Sequence, residues 1–167
     1  MSFVSITPEQ LQQNVFSAIG KQWMLITAGG DTVNTMTASW GGLGVLWNKP
    51  VAFIFVRPSR HTYGFLEQNE TFSLGFFTEE HRAALQLCGK VSGRDVDKIA
   101  QCGFTVCRNG DTPYFEQSEL VLCCRKLYFG DIDPARFGDA SIAACYPGDT
   151  DYHRVYIAEI EQVLQRG

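Results

Sequence analysis

Thr35-Met36-Thr37-Ala38-Ser39-Trp40 alternates hydroxyl and apolar side chains without a break. A period of two commits this stretch to an extended strand, with Met36, Ala38 and Trp40 on one face and Thr35, Thr37 and Ser39 on the other. Val51-Ala52-Phe53-Ile54-Phe55-Val56 is an unbroken apolar run, the pattern of a central strand. Further strands are predicted over residues 23–27, 72–77, 120–129 and 153–164, the last also compatible with a helical period. Gly29-Gly30-Asp31 reads as a turn, and Gly41-Gly42-Leu43-Gly44 as a turn between strands.

Helices punctuate this β pattern. Thr7-Pro8-Glu9-Gln10 carries a cap, a proline at the first helical position and a glutamine able to reach back. Leu11, Val15 and Ile19 continue at helical spacing up to Gly20. A second helix is expected over 61–68. A third is expected after Thr78, with Glu79 and Glu80 in its first turn and Gly89 at its end. A short fourth covers 95–102 and is closed by Gly103. Strand and helix do not alternate regularly, so a doubly wound sheet is excluded. The order predicts an α+β, mainly β chain with an antiparallel sheet closed into a barrel, as one domain over 1–167.

A formal net charge of −4 argues against a nucleic-acid backbone or an anionic membrane as the main partner. A phosphate site built from a few local arginines is compatible with that charge. The six cysteines form no Cys-x-x-Cys pair, and no histidine lies near Cys102 and Cys107, so no metal site is expected. The N-terminus lacks a basic stretch before an apolar run. A cytoplasmic protein is therefore expected, with its cysteines mostly buried as small apolar residues rather than paired. No apolar stretch approaches the ~20 residues needed to span a bilayer.

Arg57-Pro58-Ser59-Arg60-His61-Thr62-Tyr63 gathers cations and hydroxyls where a strand yields to a helix. Helix starts carry free N–H groups and a positive dipole end, so this segment suits a bound phosphate. It equally suits a capped surface helix with solvated arginines. Lys90-Val91-Ser92-Gly93-Arg94-Asp95 repeats the theme, although Asp95 and Lys98 also fit an ordinary helix-surface pair. The Gly41–Gly44 glycines lack the strand–loop–helix context of a dinucleotide fold, and no nucleophile elbow or triad is present. His81 reads as a surface residue. His153, beside Tyr152, either approaches a ligand from the C-terminal side or simply ends a strand.

At these positions the chain resembles the flavin reductase-like family of FMN-binding split barrels, and within it the flavoredoxin-type group. The resemblance rests on Asn34 to Gly41, Lys49-Pro50, Arg57 to Tyr63, Ser92-Gly93-Arg94-Asp95-Val96-Asp97-Lys98 and Tyr156-Ile157-Ala158-Glu159-Ile160, in family order. It implies a homodimer of split β-barrels with flanking helices and FMN at the subunit interface. It implies that Met36, Thr37, Ala38, Ser39 and Trp40 line the isoalloxazine, largely through backbone groups, with Asn34 a further cofactor-binding candidate. Arg57, Ser59, Arg60 and Thr62 would hold the phosphate and ribityl chain, with Lys90, Ser92 and Arg94 approaching the same cofactor, and Tyr63 and His153 are counted among the cofactor-binding candidates. Cys123 stands where the family often carries an acid. Tyr146-Pro147-Gly148-Asp149-Thr150-Asp151-Tyr152-His153 stands near the place of the Gly-Asp-His stretch found in reductase partners of monooxygenases, which favours the flavoredoxin-type group.

Three functions are compatible with that resemblance. One is an FMN-dependent oxidoreductase that takes hydride from NADH or NADPH, with no catalytic side chain required. Another is an FMN-binding electron carrier without nicotinamide activity. The third is a non-enzymatic ligand-binding module on the same fold.

Overall fold

The computed structural model describes residues 2–167. In chain order the strands are β1 (Phe3–Ile6), β2 (Met24–Gly29), β3 (Val33–Ala38), β4 (Gly41–Leu46), β5 (Lys49–Val56), β6 (Thr71–Phe76), β7 (Val106–Asn109), β8 (Thr112–Phe115), β9 (Leu120–Asp131) and β10 (Arg154–Arg166). The α-helices are α1 (Val15–Ser17), α2 (His61–Gln68), α3 (Arg82–Lys90) and α4 (Lys98–Gln101). An 8-stranded antiparallel sheet runs β3-β2-β6-β9-β10-β5-β4, with β1 added along β10, and β7-β8 form a separate hairpin.

Strand β10 organises the fold. Its first half pairs with β5, from Arg154↔Val56 to Glu159↔Val51, while its second half pairs with β1, from Val163↔Ile6 to Arg166↔Phe3. Register shifts against β9 fall between Ile157 and Ala158, within the first half, and between Ile160 and Gln162, where the two halves meet. Such bulges bend a strand and increase its twist, which lets one sheet coil around a core. The result is a split barrel with flanking helices. Its core contains Met24, Ile26, Met36, Ile54, Val56, Leu66, Phe72, Leu74, Leu122 and Tyr156. A smaller cluster on the other face of β2 packs Leu25 against Leu85, Cys88, Phe104 and Phe115.

Several expectations change on contact with the structure. The N-terminal helix is not continuous. A 3₁₀ turn at Pro8–Gln10 forms as its capping signal predicts, with Thr7 N donating to Gln10 Oε1 at 2.8 Å. Leu11 then turns extended, and Asn14 caps a second start by accepting from Ser17 N. Gly20 lies inside a π turn, Ala18–Gln22, rather than at a terminus. Gly41-Gly42-Leu43-Gly44 is not a turn but most of β4, and the turn follows at Trp47 and Asn48, both with positive φ as a two-residue hairpin requires. Glycine is needed at Gly41, where φ is +152° and a Cβ would lie 2.8 Å from the Phe53 carbonyl.

The third helix begins as a 3₁₀ turn at Glu79–His81, and Thr78 bonds the Glu80 carboxylate instead of capping the backbone. α3 runs through Gly89 to Lys90. The fourth helix is shorter than expected because Asp97 caps it, accepting from Ala100 N at 3.0 Å. His81 is partly buried among Phe77 and Phe104, not a free surface group. Cys88, Cys123 and Cys124 are buried, Cys102 and Cys107 partly so, and Cys145 is exposed. Among the described residues no helix is long and apolar enough to cross a membrane.

Candidate functional site

Strand β3 lies at an edge of the sheet, paired on one side only, with β2. An edge strand leaves alternate backbone N–H and C=O groups free of the ladder. The end of β3 and the two residues after it form one wall of a cleft of about 200 Å³, lined by Met36, Thr37, Ala38, Ser39, Trp40, Phe55, Arg57, Arg60 and His153. Trp40 is half exposed, and its ring centroid lies 5.3 Å from that of His153. Thr37 Oγ1 donates to the Leu85 carbonyl, so its hydroxyl is engaged with α3.

The basic floor of the cleft comes from the β5–α2 junction. Arg57 donates to the carbonyls of Cys145 (2.7 Å) and Asp151 (3.3 Å), and its guanidinium lies 4.8 Å from the centre of the Tyr146 ring. Burial lowers the pKa of Arg60 from its ordinary value. A guanidinium so far from neutrality at the outset remains a cation. The backbone N–H and hydroxyl of Ser59 both donate to the Asp151 carboxylate, at 3.0 and 2.5 Å. His153 is buried, and its Nδ1 lies 2.6 Å from the Tyr146 hydroxyl. Burial first, and the Arg57 charge second, push its pKa down to about 4, so the imidazole is neutral at pH 7.

Asn34, Ser59, Thr62, Tyr63, Lys90, Ser92 and Arg94 stand outside the cleft lining. Asn34 Nδ2 donates to Thr62 Oγ1 at 2.8 Å, with both residues buried, which ties β3 to the first turn of α2. Tyr63 is partly buried on α2, with the Arg154 guanidinium 5.6 Å from its ring centre. The second basic segment reaches the first through one hydrogen bond, Arg94 Nη1 to the Ser59 carbonyl at 3.1 Å, and Gly93 packs close to His61. Ser92 Oγ accepts from Arg94 N, and Lys90 is exposed at the end of α3. Asp95 and Lys98 do not pair. Lys98 is buried and donates to the carbonyls of Cys88 (3.0 Å) and Val91 (3.1 Å), closing the C-terminal end of α3.

Residues 16–166 match the family model described as flavin reductase like domain. The chain belongs to this family. The flavin reductase-like domain has no match among curated protein sequences. Its fold is similar to an FMN-binding domain of a flavin reductases-like enzyme from Shewanella baltica OS155, with a TM-score of 0.70 and 17% identity over 98% of this chain and 76% of that one. A flavoredoxin from Methanosarcina acetivorans aligns with a TM-score of 0.68 and 20% identity, over 98% of this chain and 75% of the other. The Streptomyces globisporus C-1027 NADH:FAD oxidoreductase SgcE6, solved with NAD and FAD fragments, aligns at 0.65 and 16%, over 87% and 74%.

Phe55, in the lining of this domain's cleft, and Asp151, bound to Ser59 beside it, escaped the sequence reading. Phe55 sits within an apolar run, and only strand parity separates it from Ala52, Ile54 and Val56, which are buried. Asp151 lies 92 positions from Ser59, and its docking there is a long-range contact that no local pattern announces. Chemically, the domain offers free strand-edge backbone, two arginines, a serine donor pair, aromatic walls and a neutral histidine. These groups can bind an anion and the polar edge of a flat ring, while none forms a nucleophile–base pair.

Proposed function

We propose that this single domain binds FMN in the cleft between β3 and the start of α2 and acts as a cytoplasmic, homodimeric FMN-dependent oxidoreductase drawing on NADH or NADPH. The carrying observation is the convergence of an edge strand and the Arg57–Arg60 segment on one cleft in a flavin reductase-like domain. The donor set fits the cofactor. Arg57 and Arg60 line the cleft, and Ser59 beside it presents an N–H and a hydroxyl that already hold a carboxylate, the chemistry a phosphate needs. FMN supplies the hydride and single-electron chemistry that no side chain here provides.

The chain's residues then have definable tasks. Backbone groups from Met36 to Trp40 bond the ring edge, and Arg57, Ser59 and Arg60 hold the phosphate. Trp40 and Phe55 exclude water. Asn34 and Thr62 fix the angle between β3 and α2 through their mutual bond, so they position the site without lining it. Lys90 and Arg94 add positive charge from the second segment, and Ser92 adds a hydroxyl. Neutral His153 offers a hydrogen bond into the cleft while Tyr146 holds its Nδ1. With no side-chain nucleophile at the cleft, binding, orientation and electrostatics are the protein's contribution. The exposed Trp40, Phe16 and Val45 provide apolar surface for a second copy of the chain.

The test is a visible absorption spectrum of the purified protein, reconstituted with FMN, before and after NADH or NADPH under anaerobic conditions. A bound flavin spectrum that bleaches with a nicotinamide supports the full reading. A bound spectrum that bleaches only with a reduced partner protein reassigns the chain as an electron carrier. Protein that takes up no flavin refutes the cofactor assignment.

A further inference from the structure

The segment 132–152, between β9 and β10, folds back over the start of α2. Apart from the buried Tyr146 it is mostly exposed from 139 onward, and it is held at few points. Tyr146 stacks with Phe137 (centroids 6.0 Å apart) and lies 4.6 Å from Tyr152. Arg57 grips the carbonyls of Cys145 and Asp151. Tyr146 also meets His153 Nδ1 at 2.6 Å and Ile132 N donates to the His153 carbonyl, and a further hold is the Asp151 carboxylate, whose two oxygens accept from the N–H and hydroxyl of Ser59.

That contact is not forced by burial. Ser59 is exposed, so water would satisfy both donors as readily as protein. The carboxylate sits where the Ser59 N–H and hydroxyl, with the Arg57 guanidinium bonded to the Asp151 carbonyl, make an anion favourable. It also lies two residues before His153, which lines the same cleft as Arg57 and Arg60. The position is therefore occupied from within by a group sharing the charge and bidentate oxygen geometry of a phosphate.

We infer that Asp151 is an intramolecular placeholder for the cofactor phosphate, so that the 132–152 segment acts as a strap that the phosphate must displace. This inference rests on the cofactor reading above. The phosphate and the carboxylate compete for one pair of Ser59 donors, so the apparent affinity for FMN is reduced by the fraction of molecules with the strap closed. A flavin without a phosphate has no claim on the seat and is indifferent to Asp151. The closed strap therefore narrows the preference for phosphorylated over bare flavin, and removing it widens that preference.

The test uses Asp151→Gly and Asp151→Asn, both compatible with the positive φ of 59° at this position. FMN and riboflavin affinities are measured by flavin fluorescence quenching, inorganic phosphate binding by calorimetry, and folding by melting temperature. The expected result is about tenfold tighter FMN binding and faster association in both variants, with riboflavin unchanged, the factor of a single charge-assisted contact removed from competition. FMN affinity unchanged within about threefold, or weakened, in folded variants overturns the placeholder while leaving the cofactor site standing. If neither wild type nor variants bind any flavin, the cofactor reading has failed, and inorganic phosphate decides the seat. Binding gained only in the variants keeps Asp151 as an oxyanion placeholder, and no gain overturns it.

Discussion

Replacing His153 with asparagine should change how stability depends on pH. His153 is 7% exposed, and its pKa of about 4 in the folded protein lies below the ordinary value of 6.5. Between those two values the unfolded chain binds a proton that the folded chain refuses, so stability rises with pH across the window. The contribution is fully present above pH 6.5 and is lost as pH falls toward 4. The shift corresponds to about 3 kcal/mol in the limit, of which roughly 2–3 kcal/mol is already lost at pH 4.5. Asparagine keeps a polar atom near the position of Nδ1 for the Tyr146 hydroxyl but does not titrate. Urea unfolding followed by tryptophan fluorescence at pH 7 and pH 4.5 gives the two stabilities for each protein. Wild type should lose about 2–3 kcal/mol more than His153→Asn between the two pH values. Equal losses would show that the imidazole is not desolvated and that the 132–152 segment does not cover it as described.

Other perturbations probe the supports of the cleft. Gly93→Ala would place a Cβ 2.1 Å from Asn34 Oδ1, so the β3–α2 tie must shift. Such overpacking should lower stability by about 1–3 kcal/mol, read as a lower denaturant midpoint. Thr62→Val keeps volume but removes the acceptor for buried Asn34, at a cost of about 1–3 kcal/mol. A cost near zero would mean Asn34 finds another partner. Lys98→Met strips the C-terminal end of α3 of its two carbonyl bonds and should speed amide exchange in residues 86–91 before any global loss.

The strands were legible because their periods were strong. The alternation around Met36 and the apolar run before Arg57 correspond to β3 and β5, and the helix predicted over 61–68 is α2 at the same bounds. The failures share a cause: tertiary pairing overrode local signals. Glycines at 41, 42 and 44 look like a turn in isolation, yet β5 pairs with them as a strand. β1 is only four residues and exists because β10 offers an edge. Lys98 reads as a surface cation until the α3 carbonyls appear beside it. The cations of the candidate site were visible because they cluster in sequence. The group that meets Ser59, Asp151, was hidden by chain distance.

The most direct measurement compares FMN and riboflavin affinity in wild type and in an Arg57→Ala, Arg60→Ala double variant that retains its fold by circular dichroism. Charge-assisted phosphate contacts are worth roughly 1.5–3 kcal/mol each, so wild type should prefer FMN by at least tenfold, and the double variant should lose most of that preference. Undiminished preference for FMN in the double variant, or no flavin binding by wild type, would contradict a phosphate seat at the start of α2.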